Sequence, residues 1–158
     1  MQINISNLSE GLHPYELTAD AGVIGLEAHF RGTVTARVSL VKSMDQIHAT
    51  VDAAVTGRFV CDRCAEEFER SVTARFVSVY AWEPGETSDE EDDFHVLRPD
   101  QNIIDIAPGV REYLTLAVPL KLECGRAECE IPAVPERSDE AADPRWEGLK
   151  RLLKKEEH

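Results

Sequence analysis

Hydrophobic and polar residues alternate along much of the first half of the chain, which is the pattern of β-strands with one buried face. The alternation runs over residues 34–40 and, after the turn S-M-D-Q, over residues 47–55. These two runs predict a β-hairpin. In residues 68–82 the apolar side chains again fall on even positions, and Val77 and Val79 add apolar side chains to the other face. The end of this third strand is therefore predicted to be covered on both sides.

Shorter alternating runs near the N terminus predict three more strands, separated by Gly11, Pro14 and Gly22. Their apolar residues are Ile3 and Ile5, then Tyr15 and Leu17, then Ile24, Leu26, Ala28 and Phe30. Together with the longer runs, they predict an antiparallel sheet or a partly closed barrel in the first half of the chain.

Two later segments have helical periodicity. The first is predicted to begin with Asp105 as its N-cap and to stop at Pro119. Its apolar residues are Ile106, Val110, Tyr113, Leu114 and Ala117. The second is predicted to begin with Asp143 as N-cap and Pro144 in the first helical position, and to pack on the sheet through Trp146. Its apolar face consists of Trp146, Leu149 and Leu153. The predicted fold class is α+β, a mainly antiparallel β sheet or partly closed barrel with a central helix and a C-terminal helix.

The length and the hydrophobic content of 42% predict one globular domain over residues 1–158. Residues 83–93 contain seven carboxylates and no basic residue, which predicts a mobile acidic loop. Residues 131–142 are rich in Pro, Glu and Asp and predict an irregular linker. The first residues lack a basic region followed by an apolar run, and no eighteen apolar residues follow one another. These features predict a cytoplasmic protein without a membrane partner.

The chain has four cysteines, in two pairs. Cys61 and Cys64 form a C-x-x-C motif in the predicted turn of a second hairpin, and Cys124 and Cys129 follow the central helix. Disulfides are unusual in a reducing compartment, and a catalytic dithiol opens a helix rather than joining two strands. Two short loops that each present two thiolates suit a tetrahedral zinc ion, so the four cysteines predict a zinc-knuckle clamp. The alternative is four free structural thiols.

The motifs of common enzyme classes are missing from the sequence. None of the five histidines is followed two residues later by Glu, as a zinc deaminase requires, and no H-E-x-x-H, G-x-S-x-G or Gly-rich phosphate loop occurs. Glu66, Glu67 and Glu112 are acid–base candidates, but the interpretation as solvated strand and helix residues is favoured. A zinc ion with four thiolate ligands also has no open coordination position. The prediction is a protein that is not an enzyme and has no small-molecule substrate.

The order of these parts resembles the YceD family. The resemblance is carried by the C-x-x-C motif, the acidic segment, the sequence I-D-I-A-P-G-V-R-E-Y-L-T-L-A-V-P-L, the second cysteine pair and the sequence D-P-R-W-E-G-L-K-R-L. Family members are associated with accumulation of large-subunit ribosomal RNA and are described as metal-binding and as candidates for nucleic-acid binding. The resemblance implies that Cys61, Cys64, Cys124 and Cys129 match the family's cysteine positions. It also implies a role in ribosome biogenesis.

The charge of the chain leaves two classes of partner open. A net charge of −13 repels RNA phosphates, although Arg58, Arg63 and Arg70 cluster around the first cysteine pair. These arginines also suit a purely local role, in which they offset the negative charge of a four-cysteine zinc centre. An acidic protein can instead bind basic ribosomal proteins. The resemblance therefore implies ribosomal RNA or basic ribosomal proteins as partners. The competing function is a zinc-stabilised protein-interaction domain with no role in RNA metabolism.

Overall fold

A computed structural model of the chain describes residues 1–82 and 93–129. The elements in these residues are β1 (Gln2–Asn4), β2 (Gly11–Asp20), β3 (Phe30–Lys42), β4 (Gln46–Val60), β5 (Glu67–Ala81), β6 (Asp93–Val96), β7 (Ile103–Asp105) and the helix α1 (Ala107–Leu116). None of the helices in this part of the chain is long and apolar enough to cross a membrane.

Strands β2 to β6 form one five-stranded sheet in chain order, and β1 pairs with β7 in a separate two-stranded sheet. The predicted hairpins are confirmed, because β3, β4 and β5 pair antiparallel to one another. Strand β6 instead runs parallel to β5, so this one pairing departs from the predicted antiparallel sheet. In the described residues β2 and β6 lie at opposite edges of the sheet, so the predicted sheet is present and does not close into a barrel.

The core lies between one face of the sheet and α1. Val38 of β3 pairs with Val51 of β4, which pairs with Phe76 of β5, and all three side chains are buried. Val110 and Leu114, on the helix face that meets the sheet, are fully buried. The alternation of apolar and polar residues in the sequence therefore reflects the burial of one face of the sheet under a helix.

Pro14 lies inside β2 rather than between two strands. The Ser43 N–H donates to the Gln46 carbonyl across the end of the β3–β4 hairpin. Because backbone bonding alternates along an antiparallel strand, the N–H and C=O groups of odd-numbered β3 residues bond to β4, and those of even-numbered residues bond to β2. Since even residues of β3 pair with odd residues of β2, the backbone of Pro14 faces the free edge of the sheet. The missing N–H of proline therefore costs no hydrogen bond of the ladder.

Residues 21–25 and 28–29 form turns, so the strand predicted around Ile24 and Leu26 is wrong. The Ile24 N–H donates to the Asp20 carbonyl, and Gly25 has a positive φ of 78°. Both apolar side chains are nevertheless buried. Turns that bury Ile24 and Leu26 and expose Gly25 between them produce the same local alternation as a strand.

The predicted central helix is present as α1, which begins at Ala107 and ends at Leu116, three residues before the predicted stop at Pro119. Its N-cap is Ile106 rather than Asp105, which is the last residue of β7. The Asp105 carboxylate still accepts a hydrogen bond of 3.0 Å from the Ala107 N–H. The predicted cap is therefore displaced by one position but keeps its bonding role.

Three other predictions fall wholly or largely outside the described residues. Asp93 belongs to β6, so the predicted acidic loop at 83–93 extends one residue too far. The rest of that segment, the linker at 131–142 and the C-terminal helix with Trp146 lie outside the described ranges. The single domain over residues 1–158 remains a prediction.

Candidate metal centre

The structure brings all four cysteines together. Cys61 follows directly after β4, Cys64 lies in the turn that leads to β5, and Cys124 and Cys129 lie in the segment after α1. The four Sγ atoms lie within 4.8 Å of one another. Two parts of the chain that are about sixty residues apart therefore meet at this one point.

The turn between β4 and β5 is closed by its own backbone. The Cys61 N–H donates to the Glu66 carbonyl at 2.9 Å, and the Cys61 carbonyl accepts from the Ala65 N–H at 2.9 Å. Ala65 has a φ of 60°, the left-handed conformation that lets the chain reverse directly after Cys64. These bonds hold both thiols of the first pair on the same side of a rigid hairpin end.

The second cysteine segment, residues 122–129, is attached to that turn by direct protein contacts. Asp62 and Leu122 are joined twice, because the Asp62 N–H donates to the Leu122 carbonyl at 2.7 Å and the Leu122 N–H donates to the Asp62 carboxylate at 2.6 Å. The Arg126 guanidinium binds the Glu66 carboxylate and donates to the Glu67 carbonyl at 2.7 Å. This docking therefore includes contacts that do not involve sulfur.

The spacing of the sulfur atoms fits a tetrahedral metal ion. Cys61 Sγ lies 3.7 Å from Cys129 Sγ, and Cys64 Sγ lies 3.8 Å from Cys124 Sγ. A zinc–sulfur bond of about 2.3 Å in a regular tetrahedron places neighbouring sulfurs about 3.8 Å apart. All four cysteines are free, and both distances are far longer than a disulfide bond of about 2.05 Å. The arrangement can hold one metal ion with four thiolates.

Backbone dipoles favour a thiolate at Cys61. The N–H groups of Cys64, Arg63 and Cys124 lower the pKa of Cys61 to about 6, although burial opposes them. The Cys124 N–H donates to Cys61 Sγ at 3.4 Å. Burial, together with the neighbouring thiols, raises the pKa of Cys129 to about 12. Backbone N–H groups thus favour the thiolate form of Cys61, whereas burial favours the neutral thiol of Cys129.

The two pairs of thiols differ in depth. Cys61 is 1% exposed and Cys129 is 9% exposed. Cys64 and Cys124 are both partly exposed. The cluster therefore has a buried side and a side that solvent reaches.

Ion pairs surround the cluster. Arg58 lies 3.3 Å from the Glu67 carboxylate, and Lys121 lies 2.7 Å from the Glu123 carboxylate. Of the arginines predicted to cluster here, Arg63 and Arg70 make no ion pair with a residue in the described ranges. Most of the positive charge close to the thiols is thus already matched by carboxylates.

Sequence reasoning did not identify Asp62 or Arg126 as part of this site. Each lies between the two cysteines of one pair, and this position indicates that both are close to the cluster. No spacing rule, however, predicts which residue either side chain contacts. Glu66 and Glu67 are exposed and take part in ion pairs, which agrees with their interpretation as solvated residues.

Comparison with known families identifies the chain. Searches of the curated proteins and of the solved structures gave no match. A scan against family models matches residues 47–153 to the family described as Large ribosomal RNA subunit accumulation protein YceD. The match covers more than half of the chain and includes β4, β5, α1 and all four cysteines. The chain therefore belongs to the YceD family.

Proposed function

We propose that this chain is a non-enzymatic zinc-binding factor that supports accumulation of large-subunit ribosomal RNA during ribosome biogenesis. The observation that carries the proposal is a cluster of four thiols within 4.8 Å in a chain of the YceD family. The family description supplies the link to ribosomal RNA, and the sulfur geometry supplies the link to a metal.

Zinc is the proposed metal because four thiolates in tetrahedral arrangement suit it. Cys61, Cys64, Cys124 and Cys129 would hold it, and the bound ion would supply a structural cross-link. The segment 122–129 contains no helix or strand and is attached to the β4–β5 turn by few hydrogen bonds. Metal binding would therefore stabilise this attachment, because ligand binding to the folded state adds to folding free energy.

The same geometry supports a role without catalysis. Four thiolates would fill the coordination shell of a bound zinc ion, whereas a catalytic zinc keeps a position for water or substrate. The nearby carboxylates of Glu66 and Glu67 are exposed and paired with arginines. The proposal therefore includes no small-molecule substrate. We also propose a cytoplasmic location, where thiols stay reduced.

The proposed partners are ribosomal RNA or basic ribosomal proteins. Phosphate binding depends on free Lys and Arg side chains, but Arg58, Lys121 and Arg126 beside the cluster are each paired with a carboxylate. Arg63 and Arg70 make no ion pair with a described residue, so the preference for a basic protein as the direct partner rests on the net charge of −13. The same observation supports the second candidate function, a zinc-stabilised protein-interaction domain with no role in RNA metabolism.

Metal content tests the first half of the proposal. The purified protein should contain about one zinc per chain, measured by plasma mass spectrometry, as a single tetrathiolate site requires. Cys64→Ser should lose most of the metal and melt at a lower temperature, while Ser71→Ala, an exposed change on β5, should alter neither. A metal-free protein that is equally stable, with four titratable thiols, would exclude the zinc site.

Ribosomal RNA levels test the second half. In cells that lack the protein, we expect large-subunit RNA to fall relative to small-subunit RNA, and the wild type and Ser71→Ala to restore it. Cys64→Ser should fail at matched protein level. Cosedimentation with ribosomal particles at several salt concentrations then separates the partners, because binding to phosphates weakens steeply with salt. Normal RNA levels without the protein would favour the second candidate function.

A further inference from the structure

Strand β2 forms a free edge of the five-stranded sheet. All ten of its residues pair with β3 in one continuous register, from Gly11 opposite Lys42 to Asp20 opposite Thr33. In the part of the chain that the structure describes, no strand pairs with its other side. Natural edge strands are often protected by Lys, Pro or a bulge, but β2 has no Lys and no bulge. Only Pro14 interrupts the edge, so the stretch after it is open.

The backbone of the even-numbered residues faces this open edge. Odd-numbered residues bond to β3, and the Ala21 N–H continues that pattern by donating to the Gly32 carbonyl at 3.0 Å. The N–H and C=O groups of Glu16 and Thr18 therefore point away from β3, and no residue in the described ranges bonds to them. The Asp20 N–H faces the same way. These groups can form a ladder with one more strand.

The side chains along the open edge alternate between polar and apolar. Glu16, Thr18 and Asp20 are exposed on the face of the sheet that points away from α1. Leu17 and Ala19 are half-buried on the opposite face and pack against the core. An added strand would therefore place every second side chain beside a polar or acidic residue, and the others beside apolar ones.

The two carboxylates of this edge are available to a cation. Arg37 lies opposite Glu16 on β3, but neither makes an ion pair with a described residue. The Asp20 carboxylate accepts a hydrogen bond of 2.9 Å from the Gly22 N–H and also makes no ion pair with the residues described. Strand β2 itself contains no Lys or Arg. Its charge therefore complements a basic strand and repels a phosphate backbone.

We propose that the open edge of β2, over residues 15–20, is a docking surface for an extended basic segment of a protein partner. The segment adds to the sheet as an antiparallel strand, the more stable pairing per residue. It carries Lys or Arg opposite Glu16 and Asp20, and apolar residues beside Leu17 and Ala19. That the partner is a ribosomal protein rests on the proposed function, whereas the surface rests on register, exposure and charge.

Two observations favour this occupant. The sheet already accepts a strand of only four residues, β6, at its other edge, so a short segment is long enough. A second copy of β2 is a poor partner, because antiparallel pairing over the open stretch would place Glu16 opposite or diagonal to a carboxylate of the other copy. Like charges in these positions are destabilising.

A labelled peptide with the central sequence Lys-Val-Thr-Val-Lys tests the surface on the full-length protein. Its Lys residues are four positions apart, as Glu16 and Asp20 are, and its Val residues fall beside Leu17 and Ala19. Fluorescence anisotropy measures its affinity, and Glu-Val-Thr-Val-Glu is the charge-reversed control. We expect the basic peptide to bind and the acidic one not to bind.

Thr18→Pro is the decisive variant. Pro14 occupies an equivalent edge-facing position in β2, so Thr18→Pro should keep the ladder with β3 and remove an N–H that the added strand needs. We expect it to weaken peptide binding about tenfold, as the loss of a backbone hydrogen bond implies. The matched control Thr18→Val keeps the N–H and should bind like the wild type. Glu16→Gln combined with Asp20→Asn should weaken binding about three- to tenfold.

Amide hydrogen exchange, followed by NMR, gives a second measurement on the unmodified chain. Without peptide, the N–H groups of Glu16 and Thr18 should exchange faster than those of Leu17 and Ala19, which bond to β3. The basic peptide should slow exchange at Glu16 and Thr18. This measurement keeps the test decisive if Thr18→Pro is unstable.

Three results would overturn the proposal. The first is absence of binding, or equal binding of the acidic peptide. The second is unchanged exchange at Glu16 and Thr18 when the peptide binds. The third is another occupant of the same edge, seen as a dimer that Thr18→Pro converts to monomers, or as single-stranded RNA that slows the same two amides. If the peptide binds as expected but loss of the protein leaves ribosomal RNA levels normal, the surface is supported and only the ribosomal identity of the partner is refuted.

Discussion

The contact between Gly109 and Phe76 provides a sharp test of how α1 packs on the sheet. A Cβ atom added at Gly109 would lie 2.9 Å from Cε2 and 3.1 Å from Cζ of the Phe76 ring. Both distances are too short for carbon–carbon contact. The ring is 5% exposed and stacks on Tyr113, with centroids 4.4 Å apart and planes inclined by 5°. Gly109→Ala therefore forces either the helix or a buried aromatic stack to move.

Two opposing effects set the size of the change. Alanine in a helix is normally more favourable than glycine by about 1 kcal/mol. Overpacking a buried site costs about 1–3 kcal/mol. The ring cannot rotate away freely, because Tyr113 covers one of its faces. We therefore expect Gly109→Ala to lower the free energy of unfolding by about 0–2 kcal/mol in the native background, the difference between these two effects.

The same substitution should change sign when the ring is removed. In a Phe76→Leu background the clash is relieved, and Gly109→Ala should stabilise the protein by up to about 1 kcal/mol. Urea unfolding of the wild type, both single variants and the double variant gives the coupling free energy, expected at about 1–3 kcal/mol. If Gly109→Ala has the same effect in both backgrounds, the proposed contact between helix and ring is refuted.

Three further substitutions test the hairpin end and the start of α1. A Cβ at Gly57 would lie 2.5 Å from the buried ring of Phe59, so Gly57→Ala should lower the free energy of unfolding in urea by about 1–3 kcal/mol. An unchanged free energy of unfolding would contradict this packing. Ala65 has a φ of 60°, so Ala65→Gly should raise the free energy of unfolding by about 0.5–1 kcal/mol, and Ala65→Val should lower it. Equal melting temperatures of the three proteins would argue against the left-handed turn. Burial acts to raise the pKa of Asp105, but the Ala107 N–H and the Met1 ammonium group lower it below its ordinary value of 3.8. The stabilisation by this carboxylate is therefore present above pH 3.8 and is lost as the pH falls through the lower folded-state pKa. Asp105→Asn should make the free energy of unfolding depend less on pH in this acidic range. An unchanged dependence on pH would rule out this role.

Local patterns were sufficient for the central strands and for α1. The two-residue period over β3, β4 and β5 reflects burial of one face, and the helical period after Asp105 reflects a stripe of residues against the sheet. The number and spacing of the cysteines likewise predicted that two short loops would meet. In each case the requirement for burial or for metal ligands applies to residues that are close in sequence. The resulting pattern can therefore be recognised from the sequence alone.

Other features depend on segments that are distant in sequence. Nothing in residues 93–96 indicates that β6 adds to the sheet parallel to β5, and nothing near Asp62 names Leu122 as its partner. The alternation at Ile24 and Leu26 has the same form in a strand and in compact turns. Burial imposes the periodicity on both, but the pairing of backbone groups across space distinguishes them. That pairing is settled when the whole core packs, because a hydrogen bond between distant segments leaves no periodic trace in either one.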